Sequence, residues 1–143
     1  MSNSKVLFGD VLLNITGASI GRCFYIKRSL GAANVNQHVC IIRPKNNLCS
    51  KFLYFVLRSY IGQEQINFEQ TGSGREGLNF EALKSFIIPD IPIEEQTQII
   101  QHIQTETDRI NSKITKTEKL IELLKEYKIA LISEVVTGKI KIP

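Results

Sequence analysis

The spacing of apolar residues divides this chain into two parts with different predicted structures. In the first part, short apolar runs predict β-strands at about Val11–Leu13, Cys23–Ile26 and Val39–Arg43. The segment "NITGASIG" between the first two runs is rich in glycine and small polar residues, so it predicts a turn. The first part therefore begins as β structure.

The apolar period becomes helical in the segment "CSKFLYFVLRSYIGQ". It predicts a helix over about residues 50–60 that Ser50 caps and that continues past Gly62. We expect its aromatic residues to lie mainly in the core: Phe52, Tyr54, Phe55 and Tyr60.

Glycines and prolines punctuate the next stretch. A flexible loop is predicted at Thr71–Gly77, a short turn or helix near Asn79–Lys84 and a strand at Phe86–Ile88. Pro89 and Pro92 then predict a stiff, extended linker.

The second part reads as one amphipathic helix from Glu94 to about Val136, with Gly138 at the position after its end. Such a helix spans roughly 65 Å, whereas a compact domain of this size is about 30 Å across, so we expect the helix to project. Its near-heptad stripe predicts a helix–helix seam. The seam residues are Ile100, Ile103, Ile110, Ile114, Ile121, Leu124 and Leu131. Alternatively, a break near Asn111–Ser112 or Thr115–Thr117 would fold the helix back as a hairpin.

The positive charge is concentrated in the first part. Residues 1–90 contain ten Lys or Arg and six Asp or Glu, whereas residues 91–143 contain eight of each. No acidic residue lies between Asp10 and Glu64, and seven basic residues do. This pattern favours a polyanionic partner, although a solvated basic face without a partner is the alternative.

Catalytic and metal motifs are not found. The chain has no nucleotide-binding glycine loop followed by Lys-Ser/Thr, no H-E-x-x-H and no G-x-S-x-G. The spacing of Cys23, Cys40 and Cys49 does not fit a zinc site, so we expect reduced structural thiols. No run of about 18 apolar residues predicts a membrane span, and no signal peptide is evident, so a cytoplasmic location is expected.

The polar and basic residues of three loops are the candidates for nucleic-acid contact. Loops that bring the main chain close to a phosphate backbone favour glycine, and Asn or Gln can pair with adenine in the major groove. Plain turns with exposed side chains are the alternative. The candidates are Thr16, Ser19, Arg22, Asn36, Gln37, His38, Ser73 and Arg75.

Four segments together resemble the specificity (S) subunit of Type I restriction–modification enzymes. They are "GDVLLNITGASIG" (Gly9–Gly21), "NVNQHVCIIRP" (Asn34–Pro44), "TGSGREGLNFEALKSFIIPDIPIEEQTQI" (Thr71–Ile99) and "LIELLKEYKIALISEVVTGKI" (Leu120–Ile140). The resemblance covers most of the chain, in the order of the family.

The resemblance implies a non-catalytic subunit that reads double-stranded DNA. Its recognition domains each read half of a split target, and long helices set the half-site spacing and bind methyltransferase (M) subunits. Restriction (R) subunits join that assembly. No cofactor is expected on this chain, because S-adenosylmethionine belongs to the methyltransferase, which methylates adenine.

A complete S subunit has two recognition domains and two helices, each domain longer at its N-terminal side. This chain therefore resembles a half subunit that forms a homodimer, or a C-terminal remnant. We predict an α+β fold: a small, mixed, β-rich recognition domain and one long, projecting, coiled-coil-like C-terminal helix. The predicted boundaries are 1–90 for a partial recognition domain, 91–137 for the spacer helix and 138–143 for a C-terminal tag. The alternative is a truncated interaction protein that dimerises or binds the methyltransferase without reading DNA.

Overall fold

The computed structural model describes residues 4–45, 47–72 and 77–140, without the side chains of residues 71 and 72. The chain forms two compact units, Met1–Ile100 and Gln101–Pro143. The predicted α+β class is confirmed, because the described residues combine a small antiparallel sheet with helices that end in one long C-terminal helix. The functional boundaries predicted at residues 90 and 137 stay predictions.

The sheet has the order β2-β1-β3, with β1 at Val11–Asn14, β2 at Cys23–Tyr25 and β3 at Val39–Ile42. The first three of the four predicted strands are confirmed, and the end of each lies one residue from the predicted end. A 3-10 turn at Gly17–Ser19 lies in the predicted turn between β1 and β2. Both neighbours run antiparallel to β1, which pairs Leu13 with Cys23 on one side and with Cys40 on the other.

Alternation along β1 explains how the sheet forms a core. Val11 and Leu13 are fully buried, whereas Leu12 and Asn14 on the opposite face are only half-buried. Val11 packs against Leu53 and Leu57 of the first α-helix. The sheet therefore has one covered face, as expected for antiparallel strands with period-two patterning.

Two helices replace the single helix predicted from residue 50. Helix α1 spans Ser50–Arg58 and α2 spans Tyr60–Gly72, and Ser59 between them has an extended backbone. The chain continues as helix past Gly62, as predicted, but after the break at Ser59, and Gly62 lies close to the end of α1: a Cβ on Gly62 would lie 2.4 Å from the Val56 carbonyl oxygen. This close approach requires glycine.

Two details of the helix prediction are wrong. The N-cap of α1 is Cys49, which makes no side-chain capping bond, and Ser50 is the first helical residue. Phe52 is buried as predicted and Tyr54 and Phe55 are half-buried, but Tyr60 is 78% exposed. Tyr60 leaves the core because the break at Ser59 interrupts the helical phase that was extrapolated from α1.

The short helix α3 spans Phe80–Lys84 and confirms the predicted element. Asn79 caps it, because its side-chain oxygen accepts a hydrogen bond from the amide of Ala82 at 2.7 Å. The strand predicted at Phe86–Ile88 is wrong, since residues 86–92 have an irregular, non-helical backbone. The amide and carbonyl of Ile87 are bonded instead by the side chain of Gln65, at 2.6 and 3.1 Å.

Helix α4 spans Ile93–Val136, 44 residues without interruption. The predicted long helix is confirmed, and the hairpin break near residues 111–117 is wrong. Gly138 has a φ of +72° and occupies the predicted position after the helix end. The amide of Lys139 donates to the Glu134 carbonyl at 2.9 Å, which closes the helix in the way typical of a glycine C-cap. Among the described residues, no helix is both long and apolar enough to cross a membrane.

Candidate nucleic-acid interface

Two of the three predicted loops meet at one edge of the sheet. The end of β1 lies beside the start of β3, where Asn14 pairs with Val39. The ladder continues one residue further, because the amide of Ile15 donates to the carbonyl of His38 at 2.9 Å. The loop after β1 and the loop before β3, which are distant in sequence, therefore form one surface.

A side-chain hydrogen bond joins these loops. Thr16 Oγ1 lies 2.5 Å from His38 Nδ1. Asn36 shapes the second loop, since its side-chain oxygen accepts from the amide of His38 at 3.1 Å. Gln37 is exposed, and its Nε2 lies 3.4 Å from His38 Nε2. Gln37 and His38 thus present polar atoms to solvent, whereas Asn36 holds the backbone that carries them.

Ser19 and Arg22 have different environments in the first loop. The Ser19 hydroxyl accepts a short hydrogen bond from the side-chain amide of Asn14, so it braces the loop. The backbone of Arg22 is fixed at both of its polar groups, because its amide donates to the Ser19 carbonyl and its carbonyl accepts from the Asn14 amide. Its side chain is exposed at the same sheet edge.

The remaining candidates, Ser73 and Arg75, lie outside the described residues. The segment that starts at Leu78 lies at the same end of β1 as the first two loops, because the amide of Leu78 donates to the Ile15 carbonyl at 2.8 Å. Leu78 is buried in the cluster that contains Leu13 and Ile15. This contact brings the end of the second glycine loop next to Thr16.

Arg43, in the acid-free stretch, is paired with a carboxylate. Arg43 Nε and Nη2 bind the two carboxylate oxygens of Asp10 at 2.7 and 2.9 Å, and Asp10 is almost fully buried. The hydrogen bond to Asp10 raises the pKa of Arg43 above its already high value. Arg22, Lys27, Arg28 and Lys45 stay exposed.

Sequence reasoning missed two polar residues that hold this body together. Asp10 is buried directly before β1, and Gln96 is buried in the first turn of α4. Each had a signal: Asp10 is the last acid before a long acid-free stretch, and Gln96 lies four residues before Ile100, on the apolar helix face.

The thiols are free in the structure. Burial raises the pKa of Cys40, and it raises the pKa of Cys23 against an opposing effect of Arg58. No cluster of potential metal ligands occurs within the part of the chain that the structure describes.

The predicted seam residues follow one stripe of α4. Ile100 is already buried with Phe52 and Val56 in the first unit. Ile103 is half-buried, and the others are 37 to 56% exposed: Ile110, Ile114, Ile121, Leu124 and Leu131. Their role as a helix–helix seam stays a prediction.

Comparison with known proteins identifies the family of this chain. The sequence profile of the Type I restriction modification DNA specificity domain matches residues 2–125. The specificity subunit of the Type I restriction enzyme EcoBI from Escherichia coli is 27% identical over 109 residues. These residues make up 76% of this chain but 23% of that protein, so the chain spans about a quarter of the relative's length. Because the profile matches most of its length, the chain belongs to the Type I restriction modification DNA specificity family.

Proposed function

We propose that this chain is a specificity subunit, or half of one, of a cytoplasmic Type I restriction–modification system. Its first unit reads one half of a bipartite DNA target, and α4 binds the adenine methyltransferase subunit, through which the restriction subunit joins. The chain itself performs no catalysis and binds no cofactor. Methyl transfer from S-adenosylmethionine belongs to the methyltransferase.

The observation that supports DNA reading best is the convergence of polar side chains at one sheet edge. Thr16 and Arg22 belong to the loop after β1, whereas Gln37 and His38 belong to the loop before β3, and the pairing of β1 with β3 brings these two loops together. An arginine near such a group can bind phosphate, while Gln can pair with adenine through both of its polar atoms. The edge thus combines positioning and base-reading chemistry.

The experiment is co-expression of the chain with its cognate methyltransferase subunit, followed by mapping of methylated adenines by direct sequencing. Methylation at a split, palindromic motif is expected, because two identical copies would read two identical half-sites. Gln37→Ala should relax one position of that motif. Lys84→Ala, on the surface of α3, is the control and should leave the motif unchanged.

The second candidate function is an interaction protein that binds the methyltransferase, or a second copy, without reading DNA. The exposed apolar stripe of α4 favours it, since a helix of this kind needs a partner. A soluble complex with the methyltransferase that produces no methylation would establish this function and contradict DNA reading.

A further inference from the structure

A cleft of about 460 Å³ lies within the first unit, beside the sheet edge that carries the candidate DNA-contacting residues. Three segments form it: the end of the first loop, the end of α1 and the start of α2. The lining residues are Ile20, Gly21, Arg22, Cys23, Arg58 and Gln63. Two arginines from distant parts of the sequence, Arg22 and Arg58, thus line one space.

The guanidinium of Arg58 is held in place by Tyr54. Arg58 Nη1 donates to the Tyr54 hydroxyl at 2.6 Å, and the guanidinium carbon lies 5.4 Å from the centre of the Tyr54 ring. That ring is itself packed between Tyr25 and Phe55, with centroid distances of 6.3 and 5.3 Å. Arg58 is therefore pre-organised, which reduces the entropy that a ligand contact would cost.

The walls of the cleft are tied together by one side chain. Gln63 Nε2 donates to the carbonyl of Gly21 at 3.2 Å and to the carbonyl of Leu57 at 2.7 Å. The first loop and the end of α1 are thereby joined through α2. This bracing fixes the backbone next to both arginines.

No acidic residue is found among the described residues that line the cleft. Neither Arg22 nor Arg58 forms an ion pair with a carboxylate in residues 4–45, 47–72 and 77–140. Arg43, in contrast, is neutralised by Asp10. Two planar guanidinium forks without acidic partners suit a phosphodiester, whose oxygens they can bind in pairs.

We propose that this cleft binds one backbone phosphate of the DNA duplex between Arg22 and Arg58. The inference rests on the proposed DNA-reading function and adds to it a fixed anchor. A phosphate held there would set the register of the first loop on the duplex, because the cleft and the Thr16–His38 contact share that loop. Arg58 is then a positioning contact that carries no base preference.

The test is the salt dependence of duplex binding, measured by fluorescence anisotropy with the full chain. The slope of log K against log salt is negative, and each neutralised phosphate makes it steeper by about 0.9. Arg58→Gln should make the slope shallower by about 1. Arg58→Lys should retain the slope, because it keeps the charge. Arg28→Gln is the matched control, since Arg28 is exposed beyond the far end of β2.

The outcomes separate this inference from the proposed function. An unchanged slope in Arg58→Gln, or an equal loss in Arg28→Gln, overturns the anchor while DNA binding stands. If the wild-type chain binds no duplex at low salt, with or without methyltransferase, both proposals fail. Binding of inorganic phosphate without binding of duplex would also overturn the DNA anchor. Thermal unfolding of each variant shows that the comparison is made on folded protein.

Discussion

Asp10 holds the segment before β1 in place through its buried carboxylate. Its buried carboxylate accepts hydrogen bonds from Arg43 and from the amide of Leu7, at 2.7 Å in the latter case. Arg43 also donates to the Lys5 carbonyl at 2.7 Å. One carboxylate therefore connects the segment before β1 to the end of β3.

Asp10→Ala should lower the free energy of unfolding by about 2 to 3 kcal/mol, because it leaves the Leu7 amide and Arg43 without their acceptor. The expected loss of stability is smaller than the loss for a fully buried ion pair, because the side chain of Arg43 is 46% exposed and can bind water instead. Urea denaturation measures the change, with Asp90→Ala at an exposed site as control. A double-mutant cycle with Arg43→Ala should show strong coupling, and purely additive losses would contradict the pairing.

The residues also show where sequence reasoning fails. The charge pattern does not distinguish Arg43 from the other basic residues of the acid-free stretch, because its acidic partner lies 33 positions away. A charge count along the chain contains no information on such pairing. The candidates Thr16 and His38 were identified singly from loop chemistry, but their contact at 2.5 Å depends on the β1–β3 register.

At the scale of elements, the apolar pattern along the chain predicts correctly those helices and strands that do not depend on contacts with distant segments. The three strands and α4 have strong periods, and their predicted positions are confirmed. The apolar run at Phe86–Ile88 has the composition of a strand, yet Gln65, 22 positions away, takes the hydrogen bonds of Ile87. Likewise, α2 packs against α1 across the break at Ser59, a contact that no periodicity within either segment predicts.

Gln96 attaches the start of α4 to the first unit. Its Oε1 accepts from the amide of Cys49 at 2.8 Å, and its Nε2 donates to the carbonyls of Asn47 and Ile91 at 2.8 and 2.9 Å. Three backbone groups from two segments are satisfied by one side chain that is 1% exposed. An apolar residue of the same length would fill the space and leave all three unpaired.

Gln96→Met should therefore lower the free energy of unfolding by about 2 to 4 kcal/mol, the cost of leaving buried polar groups unpaired. Gln98→Met is the matched control, because Gln98 is exposed two residues further along the same helix. Urea denaturation and amide hydrogen exchange at Cys49 measure the effect. Equal stability of the two variants would show that the hydrogen bonds of Gln96 contribute nothing net.

At the scale of the whole molecule, the apolar stripe of α4 changes width along the helix. Around Ile110 and Ile114 it is narrow, as in a coiled-coil seam. Towards the end, further exposed apolar residues flank it: Leu120, Tyr127, Ile129, Ile132 and Val136. A narrow stripe suits one partner helix, whereas the broad one needs a larger apolar surface. We infer that a second copy pairs along the narrow part and that the methyltransferase covers the broad part.

Ile114→Asp tests the pairing of two copies. The substitution places a charge in the narrow stripe, where a helix–helix contact would bury it without a partner, and it should convert the dimer to a monomer on size-exclusion chromatography with light scattering. Ser112→Asp adds the same charge two residues earlier, on the opposite side of the helix, and should leave the dimer intact.

A dimer that survives Ile114→Asp would remove this stripe from the interface, and a wild-type chain that is already monomeric would contradict the homodimer. Since two identical half-sites need two recognition units, loss of the dimer should also abolish methylation of the split motif while each unit stays folded.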